Sequence, residues 1–222
     1  MEAGCRPDLD LVMGADKKDI NLVFVRQGLR SYISVDLCRE CPRQDNKGCC
    51  GHYSPVFYPA DLFFIRRERP DLIEYIKGLP RLTILDFSIT VDRLPDGDDL
   101  FRCQFHDPQQ GCLLPVELRE SVCRHFVCPG IGWWEEDNLA EWNNYFHHLA
   151  DYEIALNNHI GAEMEKRGLS LRNPDDWDNI FTLIDELMQE ALSRREAWGN
   201  HLPERESVWI KRRLTFGADW KL

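Results

Sequence analysis

Eight of the nine cysteines lie between Cys38 and Cys128, in two tight groups. The first is Cys38-x2-Cys41-x7-Cys49-Cys50, and the second is Cys103-x8-Cys112-x10-Cys123-x4-Cys128. Core packing gives a chain no reason to place thiols this way. Thiolates are soft ligands that suit zinc, copper(I) and iron–sulfur clusters. A Cys-x2-Cys step lets one tight turn aim two sulfurs at one ion, as zinc knuckles and iron–sulfur loops do. Cys38, Cys41, Cys49, Cys50, Cys103, Cys112, Cys123 and Cys128 are therefore the candidate ligands of a metal ion or cluster. Eight thiolates suffice for two four-coordinate sites, or for one cluster with thiols to spare. Tetrahedral sulfur suits zinc and iron–sulfur alike, but eight exceed what one structural zinc needs. The reading favours an iron–sulfur cluster, with zinc as the alternative.

The residues around the thiols refine this picture. In extended backbone, neighbouring side chains point to opposite faces, so Cys49 and Cys50 would serve different metals or different edges of one cluster. Gly48, Gly51, Gly111 and Gly130 flank the ligands and permit close approach of backbone amides to sulfur. A short helix is expected from Val116 to Phe126, carrying Cys123. Pro129 keeps Cys128 out of helical angles, so that it lies beyond this helix. His52, His106 and His125 each lie within three residues of a cysteine. Each is read as a solvated side chain or a partner behind the ligands. Arg102, Arg119 and Arg124 either offset thiolate charge or are surface residues. Cys5 stands apart from the cluster.

The ordered set Cys38-Arg-Glu-Cys41, Cys49-Cys50, Pro59-Ala-Asp-Leu62, Cys103, Gly111-Cys112-Leu, and Arg119-Glu-Ser-Val-Cys123-Arg124-His-Phe126-Val-Cys128 resembles a known pattern. It is similar to the bacterial cysteine-cluster family described as zinc- or iron-chelating. The resemblance covers about residues 38 to 130. Glu120 stands where that family usually has proline, and the Cys112 to Arg119 spacing is one residue longer; neither departure removes a ligand. A flagellin lysine methylase resembles the same family and uses an iron–sulfur cluster, so the resemblance implies metal binding and raises the weight of iron.

The elements that must position these thiols are legible in outline. Ile20 to Gln27 and Ser31 to Leu37 read as paired strands around Gly28. Pro59 and Pro70 open helices, and Gly78-Leu79-Pro80 stops the second. Leu82 to Leu94 reads as a strand, Pro95 to Asp98 as a turn, and Leu100 to Phe105 as a return strand that delivers Cys103. From Leu139 to Arg167, Trp142, Phe146, Leu149, Leu156, Ile160 and Met164 recur at helical spacing. Asn173-Pro174-Asp175-Asp176 starts another helix, whose face is Trp177, Phe181, Ile184, Met188 and Ala191. Ser207 to Leu214 reads as a last short helix. The aromatic stripe is read as core, and His147 and His148 as one buried and one exposed residue. The expected fold class is α+β: residues 1–132 form a metal-organised cysteine-rich part with a small antiparallel sheet, and residues 133–222 a helical part packed on it.

Composition narrows the function further. The chain has 222 residues, 43% hydrophobic, so a core can form without metal as the only glue. Its net charge is −11, from 38 acidic and 27 basic residues, which disfavours nucleic-acid and anionic-membrane partners. Met1 to Asp10 lacks the apolar stretch of a signal peptide, and no run approaches the length of a membrane span. The expected location is the cytoplasm, where thiols stay reduced. No His-Glu-x-x-His, phosphate-cradling glycine loop or dinucleotide fingerprint is present, so catalytic residues and substrate are not assigned. The sequence leaves room for a protein partner.

Overall fold

The computed structural model describes residues 17–36, 49–97, 101–107, 109–125, 127, 131–194 and 199–213. Cys38, Cys41 and Cys128, with the side chain of Cys49, lie outside the described residues.

Strands β1 (Lys17–Val25) and β2 (Tyr32–Val35) form an antiparallel pair, with Leu22 opposite Val35 and Val25 opposite Tyr32. Ile20, Leu22 and Phe24 are completely buried, the period-two pattern of a half-buried strand. Gly28 turns the chain at φ 56°, and Ser31 fastens the turn. The Ser31 hydroxyl accepts from the Gln27 amide at 2.7 Å and donates to the Gly28 carbonyl at 2.6 Å.

Helix α1 (Cys49–His52) and strand β3 (Val56–Phe57) precede two helices that begin on proline, α2 (Pro59–Glu68) and α3 (Pro70–Lys77). Proline suits that position because its missing N–H would have no partner there. The single strand expected from Leu82 to Leu94 is instead a hairpin of β4 (Leu82–Ile84) and β5 (Ile89–Val91). The Leu85 amide donates to the Ser88 carbonyl at 2.9 Å, closing a tight turn over Asp86 and Phe87. With β3 these strands form a sheet of order β3-β5-β4. Two short antiparallel ribbons follow: β6 (Leu94–Pro95) with β7 (Phe101–Arg102), and β8 (His106–Asp107) with β9 (Gly111–Cys112).

The helix expected from Val116 to Phe126 is two pieces. A 3-10 turn spans Val116–Leu118, the backbone extends at Arg119 (ψ 157°), and α4 spans Ser121–His125. Helices α5 (Ala140–Lys166) and α6 (Trp177–Ser193) lie where the apolar stripes put them. All of Trp142, Phe146, Leu149, Leu156, Ile160, Met164, Trp177, Phe181, Ile184 and Met188 are buried. The Phe24 ring stacks on Trp142 at 5.1 Å and meets Trp133 edge-on at 5.1 Å, so α5 packs directly on the first sheet. His147 and His148 are both exposed; neither is a core residue.

The last described element corrects the expected helix from Ser207 to Leu214. It is strand β10 (Arg205–Arg213), antiparallel to β1 along its whole length, in a sheet of order β10-β1-β2. Val208 and Ile210 pack inward while Ser207, Trp209 and Lys211 are exposed, an alternation only a strand produces. The part of the chain expected to be helical thus supplies an edge strand to the N-terminal sheet. The fold is α+β, with small antiparallel sheets and packed helices. Among the described residues, no helix is long and apolar enough to cross a membrane.

Candidate metal centre

Cys50, Cys103, Cys112 and Cys123 line one cavity of about 340 Å³. Cys50 belongs to the first sequence group and the others to the second. Cys49 and Cys50 open α1, so the pair is helical and not the extended dipeptide expected from sequence. The Cys103 amide donates to the Cys50 carbonyl at 2.7 Å, joining the two groups through the backbone. The Arg93 guanidinium donates to the Gly51 carbonyl and ties α1 to the end of β5.

Local chemistry explains how the other two thiols arrive. The Asp107 carboxylate accepts from the amides of Gln109 and Gln110, both at 2.8 Å, and Gly111 adopts φ 82°. That turn folds β9 back on β8 and brings Cys112 to the wall, opposite His106 in register. Cys123 rides on α4, whose start is held by Glu120. The Glu120 carboxylate accepts from the amides of Val122 at 2.8 Å and Cys123 at 2.9 Å. A side chain thus caps this helix, where proline would only have shaped the backbone.

Exposure is graded across the four thiols. Cys103 is buried, Cys50 and Cys112 are half-buried, and Cys123 is exposed. Burial pushes the Cys103 thiol up to about 12, with smaller contributions from Cys50, Cys112 and Glu120, against an opposing bond from the Phe105 amide. Burial also raises the Glu120 carboxyl, and its bonds to Cys123 and Val122 oppose that shift. The rest of the wall is largely apolar, including Ile33, Val35, Tyr53, Phe105, Leu114 and Val122, with Arg119 beside Glu120.

Among the described residues, no group of three or more His, Cys, Asp or Glu side chains is arranged around a single ion. The four sulfurs line a space larger than one ion. Thiolate sulfur is the soft donor type that zinc and iron–sulfur groups take. None of His52, His106 and His125 is among the described residues lining the cavity. His52 is exposed and His106 is buried in β8. His125 packs on Phe146 at 5.3 Å, and burial followed by the charges of Arg124 and Arg30 pushes its pKa well below the ordinary value.

Behind the wall lies a buried charge network that the sequence reading missed. Arg124 is completely buried and donates to Glu153 at 2.6 Å and to the Ser31 carbonyl at 2.9 Å. Arg30 pairs with Asp61 at 3.0 Å, and Asp61 also accepts from the Tyr58 amide at the start of α2. Both arginines donate to the Arg119 carbonyl, Arg30 at 2.7 Å and Arg124 at 3.1 Å. Arg30 holds the Glu117 carbonyl as well, at 2.7 Å. The segment from Glu117 to Cys123, one side of the thiol cavity, is therefore pinned by two internal cations. Arg124 spends its charge on Glu153 and is not a surface residue. Arg102 lies 3.8 Å from Asp96. One signal was available in the sequence: Glu153 falls between Leu149 and Leu156, in register with the apolar stripe of α5.

Compared with known proteins, the chain matches no family model, no curated protein and no solved structure.

Proposed function

We propose that the chain is a metal-binding protein whose clustered cysteine thiolates hold an iron–sulfur cluster in a redox or redox-linked enzymatic role. The observation that carries this reading is the convergence of Cys50, Cys103, Cys112 and Cys123, from both sequence groups, on one cavity. Cys38, Cys41, Cys49 and Cys128 complete the candidate set. A lone four-coordinate zinc holds its sulfurs about 2.3 Å from the metal. Eight clustered thiols exceed what one such ion requires, which favours a polynuclear group. Such a cluster supplies one-electron transfer when bound. The chain's own part is to exclude water with the apolar wall and to present thiols from α1, β9 and α4. It must also release the proton that burial keeps on Cys103, so metal uptake frees protons. Reduced thiols fit a cytoplasmic location.

A zinc-organised interaction module without catalysis is the second reading. It is favoured by exposed Tyr53, Leu113 and Val122 beside the thiols, an apolar rim of the kind that partners cover. Metal and sulfide analysis with a visible spectrum, on protein purified without oxygen, separates the two. Iron, sulfide and visible absorption lost in Cys103→Ser support the first reading. Zinc without visible absorption supports the second, and neither metal sinks both.

A further inference from the structure

Arg119 lines the same cavity as the four thiols. The Arg119 Nε donates to the Leu114 carbonyl at 3.1 Å, which fixes the plane of the guanidinium. Among the described residues its two terminal nitrogens make no hydrogen bond and no ion pair. The neighbouring acids are already engaged. Glu120 is held by the amides of Val122 and Cys123, Asp61 by Arg30, and Glu153 by Arg124. Arg119 is half-buried and lines a cavity whose other members include Ile33, Val35, Tyr53 and Leu114. A guanidinium with its forked edge free recognises carboxylate oxygens two at a time. Small-molecule sites are mostly apolar hollows of about 300–1,000 Å³ with a few placed polar groups, and about 340 Å³ falls within that range.

We propose that this cavity binds a small amphipathic anion, its apolar body against Ile33, Val35, Tyr53 and Leu114 and its carboxylate on the terminal nitrogens of Arg119. Val122 and Cys123, also in the lining, are exposed. The site does not require the metal reading, and an anion and a metal group would compete for this one cavity.

Calorimetric titration of the full chain, purified without oxygen and with its metal content recorded, tests the proposal. Octanoate and 1-octanol serve as probes that share a chain and differ in the head group. Octanoate should saturate one site, and octanol should bind at least about tenfold more weakly, as expected for loss of a charge-assisted bond. Arg119→Gln should weaken octanoate about tenfold or more and leave octanol unchanged, with Arg119→Lys in between. The proposal is overturned if octanoate shows no saturable binding or binds no better than octanol. It is equally overturned if folded Arg119→Gln binds octanoate as the native chain does. Should Arg119→Gln not fold, the octanoate and octanol comparison on the native chain decides alone. Octanoate that binds neither metal-loaded nor metal-free chain sinks only this proposal, and octanoate binding to a chain that takes up no metal sinks only the preceding one.

Discussion

Replacing Arg124 by methionine tests the buried charge network most directly. Arg124 is completely buried and faces Glu153 at 2.6 Å, with Asp61 at 3.9 Å. Methionine fills much of the space but removes the cation. The Arg119 carbonyl keeps Arg30, and Glu153 keeps the Ser121 hydroxyl. What is left is a buried carboxylate that has lost the cation hydrogen-bonded to it, with only the more distant charge of Arg30. Removing one partner of such a pair costs about 3–5 kcal/mol. At roughly 2–4 °C per kcal/mol for a chain of this size, melting should fall by about 6–20 °C. The deficit should depend on pH, with a definite sign. Burial already pushes the Glu153 carboxyl above its ordinary value, and Arg124 opposes that shift. Without Arg124 the folded-state pKa rises further. A raised carboxyl pKa means stability is lost as pH rises from the unfolded value toward the folded one. The variant should therefore recover as pH falls from 8 to 5. Glu153→Gln in the same background should restore most of the loss at pH 7. Urea unfolding followed by far-UV circular dichroism measures each quantity. A loss below about 1 kcal/mol, or a deficit that neither acid nor Glu153→Gln relieves, would refute the reasoning.

Three further outcomes follow from the described contacts. In metal-free protein at pH 8, Cys103 should alkylate about a thousandfold more slowly than an ordinary thiol, because burial lifts it from 9.0 to about 12. The same burial favours the protonated fold below pH 9 and is lost as pH climbs toward 12; mass-spectrometric labelling as fast as that of Cys123 would sink the assignment. Gly199→Ala should cost more than about 1 kcal/mol, since the position needs φ 80° and a Cβ would lie 2.3 Å from Tyr145 Cδ2. An unchanged melting temperature would contradict that. Chelation should expose the described stretch of residues 49–54 to protease while most helical signal persists, because α5 and α6 bury their own apolar faces. One cooperative collapse of the whole chain would argue against this division.

The features read correctly from sequence are those fixed by neighbours close along the chain. The proline starts of α2 and α3 and the 3.6-residue stripes of α5 and α6 need no distant partner to be recognised. The hairpin at Leu82–Val91 was hidden because Asp86 to Ser88 is a turn without glycine or proline. The strand at Arg205–Arg213 was missed because its alternation is interrupted by charges and its partner lies at the other end of the chain. In the site, cysteine spacing identified which thiols to watch, and four of them share a cavity. Arg30 and Glu153 carried no motif, and Asp61 stood only within the Pro59-Ala-Asp-Leu62 string, since their role as charges comes from one another across the fold. Glu153 alone broke a visible pattern, as a charge placed on an apolar stripe.

The pairing of β1 with β10 bears on how the chain is made. The Ser207 hydroxyl donates to Asn21 at 2.8 Å across 186 positions. During synthesis the hairpin of β1 and β2 leaves the ribosome with one edge bare, and that edge stays bare until almost the entire described chain has been translated. Ile20, Leu22 and Phe24 face inward from this unfinished sheet. A bare strand edge with an apolar face is what intermolecular pairing exploits. The nascent protein therefore depends on its escort, or on early packing of α5 against Phe24, for longer than a sheet built from adjacent strands would.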